Sequence, residues 1–101
     1  MILITIGCAN LREAKKTGLA LLKRKLIACY NIWPVVSGYY WKKKLFQGQE
    51  INLEVKTLEK NYQKIVSFVK KGHSYKIPYI IKIKPKKVDK LFLDWVKKET
   101  K

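Results

Sequence analysis

Apolar and polar positions change period several times along this chain, and each change marks an element. Ile2-Leu-Ile-Thr-Ile6 is almost continuously apolar, as expected of a central strand covered on both faces. Asn10 precedes Glu13 by three residues, an Asn variant of the capping box. Leu11, Ala14, Gly18, Leu21 and Leu22 then repeat at helical spacing, which predicts a helix from about Leu11 to Lys25. A second, long strand follows from Ala28 to Trp41, with Pro34 implying either a sheet edge or a bulge. Lys42-Lys-Lys44 forms a charged turn, and the chain returns through Phe46 to Thr57. Within that return, Ile51, Leu53 and Val55 alternate with Asn52, Glu54 and Lys56, the mark of a strand buried on one face.

Thr57 is the expected N-cap of a second helix whose apolar stripe is Leu58, Tyr62, Ile65, Val66 and Val69, with Gly72 at its C-terminal end. Tyr79, Ile80, Ile81 and Ile83, bounded by Pro78 and Pro85, predict a last strand. Val88, Leu91, Phe92, Trp95 and Val96 give a short amphipathic terminal helix. The order β-α-β-β-α-β-α, with right-handed crossovers, predicts an α+β, ferredoxin-like sandwich whose strands lie in the spatial order 4-1-3-2. In that arrangement Cys8 and Cys29 sit at opposite ends of non-neighbouring strands, so no intrachain disulfide is expected. The loop carrying His73 and Tyr75 lies over the Cys8 end of the sheet, and the Lys42 turn shares that end.

The central hairpin is too long for its domain. At ~3.3 Å per residue, Ala28 to Trp41 would reach ~45 Å, whereas a compact domain of this length is about 35 Å across. The run is rich in β-branched and aromatic residues and almost uncharged. The surplus must either bend back or be covered by another chain, and Trp33, Tyr39, Tyr40 and Trp41 are the candidate interface residues.

With 101 residues the chain makes one domain, 1–101. No run approaches the ~18 apolar residues of a membrane span, and no export signal is recognisable, so a cytoplasmic protein with free thiols is expected. The net charge of +16 invites a nucleic-acid reading. That charge rests on 21 lysines against two arginines, Arg12 and Arg24, and the lysines are scattered over the polar sides of helices. Guanidinium forks are the better readers of bases and phosphates, so a solvated basic surface is the simpler explanation. The alternative is a nucleic-acid-binding module that stacks bases on Tyr39, Tyr40 and Trp41 beside Lys42 to Lys44.

Several segments in register carry a family likeness: Leu26-Ile-Ala-Cys-Tyr-Asn-Ile, Ser37 with Tyr39 and Trp41, Glu50 before Val55-Lys-Thr57, His73-Ser-Tyr-Lys-Ile-Pro78, and Leu93-Asp-Trp95. Over essentially its whole length the chain resembles the CutA divalent-cation-tolerance family. The resemblance implies a PII-like homotrimer in which the long hairpin extends sheets between neighbours. It brings no established reaction. Where the family usually has His-Pro-Tyr-Glu, this chain has His73-Ser74-Tyr75-Lys76. Ile6 stands at the position of a cysteine found in members implicated in copper binding, Cys8 lies two residues on, and Gly72 replaces the first of two histidines.

Candidate metal ligands are therefore Cys8, His73 and Glu50, with Tyr75 and Lys76 in the loop beside them, and copper or another divalent ion is the metal implied. A tightly held transition metal needs three or four such ligands, and a second subunit would supply the remainder. No cofactor is otherwise required. The chain has no glycine-rich phosphate loop, no nucleophile elbow and a single histidine, so it is not expected to be an enzyme.

Overall fold

The computed structural model describes residues 1–101. Strands β1 (Ile2–Cys8), β2 (Cys29–Trp41), β3 (Lys44–Thr57) and β4 (Ile80–Ile83) form one sheet, joined by helices α1 (Leu11–Lys23), α2 (Tyr62–Gly72) and α3 (Lys90–Glu99). The strand order β2-β3-β1-β4 is the one expected from the sequence, and each neighbouring pair is antiparallel.

Strand parity decides what each face does. Ile2, Ile4, Ile6 and Cys8 of β1 lie beside Leu53 and Val55 of β3, and Ala14 and Leu21 of α1 with Ile65 and Val69 of α2 seal this face into a single core. Tyr30 joins it by closing over Gly18, where an added Cβ would stand 2.9 Å from the ring. The opposite face carries Leu3 and Thr5, which are only half-buried, so β1 is not covered on both sides as its composition suggests. α1 and α2 both lie on the other side, while α3 contacts β3 and buries Val96 outside that core.

Helix α1 begins as its sequence predicts. Asn10 Oδ1 accepts from the Glu13 N–H at 2.8 Å, while Glu13 Oε1 accepts from Ala9 N–H rather than from Asn10. It ends two residues earlier than expected, at Lys23, in a Schellman motif: Lys25 N–H donates to Leu22 O and Leu26 N–H to Leu21 O. Lys25 takes the left-handed position with φ 61°.

Two capping expectations are corrected. Thr57 does not cap α2; it is fully buried, its hydroxyl donates to Leu26 O at 2.5 Å, and Asn61 Nδ2 donates to the same carbonyl at 3.2 Å. A Thr that caps a helix and a Thr that satisfies a buried carbonyl look alike in sequence. Gly72 is the last residue of α2 but not a left-handed cap, since no glycine has positive φ.

The β2–β3 hairpin runs without a bulge from Cys29↔Lys56 to Trp41↔Lys44, so Pro34, opposite Ile51, marks an edge strand. Ladder positions alternate between hydrogen-bonded and non-bonded pairs, and Pro34 is an odd number of residues from the pair closing the turn. Its missing N–H therefore falls on the outward side. β1 pairs with β3 only from Ile51 to Thr57, which leaves the outer half of the hairpin projecting as an arm. The molecule is 45 Å long and 26 Å wide as a result.

Lys42 and Lys43 close the arm with φ of 50° and 68°. A two-residue hairpin turn needs positive φ at both positions, which favours Asn-Gly and strains lysine. Replacing Lys42-Lys43 by Asn-Gly is expected to stabilise the fold by about 1 kcal/mol, seen as a higher urea midpoint at unchanged slope and fixed chain concentration. An unchanged midpoint would mean that the turn carries no strain.

Candidate functional site

The sequence nominates Cys8, His73 and Glu50 together, and the register separates them. Cys8 pairs with Ile51, so Glu50 points to the opposite face of β3. The acid that joins Cys8 and His73 is Glu13, and ligand atoms of these three residues lie within 4.8 Å of one another.

This cluster is a closed hydrogen-bond knot. Tyr75 N–H donates to His73 Nδ1 at 2.9 Å, which leaves the ring proton on Nε2, 2.6 Å from the Gly7 carbonyl that accepts it. Both ring nitrogens are thereby spent on backbone groups. Glu13 accepts from Ala9 N–H through Oε1 and from Ser74 N–H through Oε2. Partial burial pushes its carboxyl pKa up, but these donors and the nearby His73 outweigh burial and hold it below the usual value. Burial, with the Glu13 charge, pushes the Cys8 thiol up to about 12. A protonated, buried thiol beside an occupied imidazole and an occupied carboxylate does not fit a preformed metal site. The knot instead pins the 73–79 loop onto the end of β1.

A second site lies on the open face, built around Gly7. Tyr79 lies opposite Gly7, whose N–H donates to Tyr79 O, and the Tyr79 ring occupies the space a side chain would take: a Cβ there would stand 2.1 Å from it. The Tyr79 hydroxyl donates to Asn52 Oδ1 at 2.6 Å. Asn52 is 4% exposed, yet its Nδ2 has no hydrogen-bond partner within the chain. Glu50, also 4% exposed, accepts from the Tyr75 hydroxyl at 2.5 Å and forms no ion pair. Burial and the Glu50 carboxylate push the Tyr75 phenol well above its usual range, so it is a neutral donor. Ser37, Gly38 and Tyr39 complete a cleft of about 380 Å³ between the root of the arm and the loop.

Of the interface candidates, Tyr39, Tyr40 and Trp41 lie on the projecting arm, and Trp33, opposite Asn52, lies at its base. Trp33, Tyr39 and Trp41 share the open face with Glu50 and Asn52, whereas Tyr40, 73% exposed, points the other way. Tyr39 stacks on Phe46 at 4.8 Å, so one face of its ring is already taken and is closed to a nucleic-acid base. Lys76 is exposed beside the cleft loop, and Lys56 pairs with Glu54 at 3.3 Å. The two cysteines are unpaired, as their placement predicts.

The family profile for the CutA1 divalent ion tolerance protein matches residues 2–99. The chain belongs to the CutA1 family. The divalent-cation tolerance protein CutA of Archaeoglobus fulgidus is 37% identical over 93 residues, covering 92% of this chain and 91% of that one. Its Thermotoga maritima counterpart is 32% identical over 97 residues, 96% of each chain. Among solved structures, Pyrococcus horikoshii CutA superposes with a TM-score of 0.96 at 32% identity over the full length of both chains. The Archaeoglobus fulgidus structure, described as a periplasmic divalent cation tolerance protein, gives 0.95 at 34% identity, again over both full chains. CutA1 proteins are thus named for tolerance of cations and not for a reaction, and no helix in this member is long and apolar enough to cross a membrane.

Glu13, Asn52 and Tyr79 carry no mark of these roles in the sequence. Glu13 had a sufficient role in the capping box, and the other two look like ordinary strand positions. A fold that favours the neutral Cys8 thiol carries a sign: the contribution is intact below the ordinary pKa of 9.0 and is lost as pH rises toward about 12. The melting-temperature advantage of the wild type over Cys8→Ala is therefore expected to shrink steadily between pH 8 and pH 11. A constant gap would mean that the thiol is not held protonated.

Proposed function

We propose that this CutA1 protein acts without catalysis in divalent-cation tolerance, as a homotrimer that binds a cation or small ligand in the Glu50 cleft where a neighbouring copy closes it. The buried Glu50 carboxylate carries this reading. It has one hydroxyl partner and no counter-charge, and an uncompensated buried carboxylate is costly unless a cation or further donors meet it. Asn52 adds an orphaned donor on the same face, worth about 1–3 kcal/mol if left unpaired. Both are needs that a second chain or a ligand supplies.

Trimer formation is supported by the projecting arm, by the uncovered aromatic residues along it, and by the family likeness. The donor set around Glu50 is all oxygen: a carboxylate, neutral phenols and the Ser37 hydroxyl. Such a set suits a hard divalent ion that keeps several waters better than it suits copper. Copper, the metal implied by the resemblance, would have to open the knot at Cys8 and His73. The unpaired cysteines support a reducing, cytoplasmic setting.

Calorimetric titration of the intact assembly with manganous and with cupric ions tests the assignment. Glu50→Gln is expected to weaken manganous binding at least tenfold while Cys8→Ala leaves it unchanged, and Lys76→Glu, which removes a cation beside the cleft, is expected to strengthen it. Binding indifferent to Glu50→Gln, or dependent on Cys8 and His73 instead, would overturn the cleft as the cation site.

A further inference from the structure

A second concavity lies on the helical side, away from the Glu50 cleft. It is a groove of about 950 Å³ between α1 and α2, and it contains both arginines of a chain that otherwise uses lysine. Arg12, Lys16, Ala20 and Arg24 succeed one another at four-residue intervals, so they form one stripe along α1. At 1.5 Å per residue the stripe is ~18 Å long. Lys71 faces it from α2. Phe68 lies beneath Arg24, whose guanidinium carbon is 4.5 Å from the ring centroid.

Charge in this groove is not balanced from within. None of Arg12, Lys16, Arg24 and Lys71 forms an ion pair. The single acid on the wall, Glu13, is held by Ala9 and Ser74 N–H groups and by His73, so it is not free to pair with them. Arg24 is further restricted by its stack on Phe68 and a 3.4 Å bond from Nη1 to Ala20 O. A guanidinium held as that of Arg24 is loses less freedom on meeting a phosphate than a mobile lysine does, and the forks of both arginines match phosphate oxygens.

The geometry points to a binding site for a linear polyphosphate anion in the α1–α2 groove, separate from any cation site on the sheet. A stripe of positive charge with an opposing lysine fits a chain of phosphates better than a single compact anion. Because the groove lies on the helical layer, covering the open sheet face leaves it accessible. The same phosphate chemistry is presented by free polyphosphates and by a single-stranded nucleic acid backbone, and the two are separable by titration.

The test uses the intact protein and sodium tripolyphosphate, followed by calorimetry or by amide shifts at 0.05 and 0.2 M salt, with an eight-nucleotide oligothymidylate in parallel. Arg12→Gln with Arg24→Gln is compared with Lys97→Gln with Lys98→Gln, which removes the same charge from exposed positions on α3. The site predicts at least a tenfold loss of tripolyphosphate affinity in the arginine pair and less than a twofold loss in the lysine pair. Circular dichroism of both pairs guards against misfolding. Equal losses would mean that overall charge alone attracts the anion, and absence of binding by the wild type would also overturn the proposal. An oligothymidylate affinity above that of tripolyphosphate, lost in the arginine pair alone, would identify nucleic acid as the source of the phosphates. Loss of manganous binding at Glu50 leaves this result untouched, so the two assignments fail separately.

Discussion

The four-stranded sheet has two sides that want cover, and the main core fills only one of them. α1 and α2 close over the Ile2, Ile4 and Ile6 side, and the short β4 cannot widen the sheet enough to shield the other. Aromatic and aliphatic side chains on that other side gain ~25 cal/mol for each Å² removed from water. The drive to remove them is strong, and within one chain Trp33, Tyr39 and Trp41 stay about two-fifths exposed. A hairpin twice the length needed to pair with β1 enlarges the problem and also offers the remedy, since it reaches past its own globule to where a sister chain would sit. The lysines at its tip keep that exposed reach soluble.

Gly7 is where packing and chemistry meet. Its carbonyl accepts from His73, its N–H donates to Tyr79, and its missing side chain admits the Tyr79 ring. One residue thus fixes the loop on one side and the aromatic wall of the Glu50 cleft on the other. The cluster of Cys8, Glu13 and His73, which resembles a metal site in composition, acts in this arrangement as a clamp. Ligand-type residues within reach of one another do not make a metal site when their lone pairs and protons are already committed to the backbone.

Much of the fold was legible because hydrophobic period distinguishes its elements. The alternation of Ile51, Leu53 and Val55 marked which side of β3 is buried, and the nearly uncharged run through Tyr39 and Trp41 marked a strand too long for the domain, without deciding whether it bends back or projects. Register was not legible, and it governs the site. A shift of one residue decides whether Glu50 joins Cys8 or turns its back on it, and no local signal encodes that pairing. Thr57 and Asn61 were opaque for a related reason: residues that cap helices also satisfy buried carbonyls, and only the tertiary fold brings Leu26 to them. Lys42 and Lys43 concealed a tight turn that glycine or asparagine would have advertised.

Sedimentation equilibrium over low micromolar concentrations, without added metal, reads whether chains cover one another's open faces. A single species of three times the 11.9 kDa chain mass is expected if they do. A species that stays at one chain mass across that range, with its arm aromatics in water, would contradict such cover.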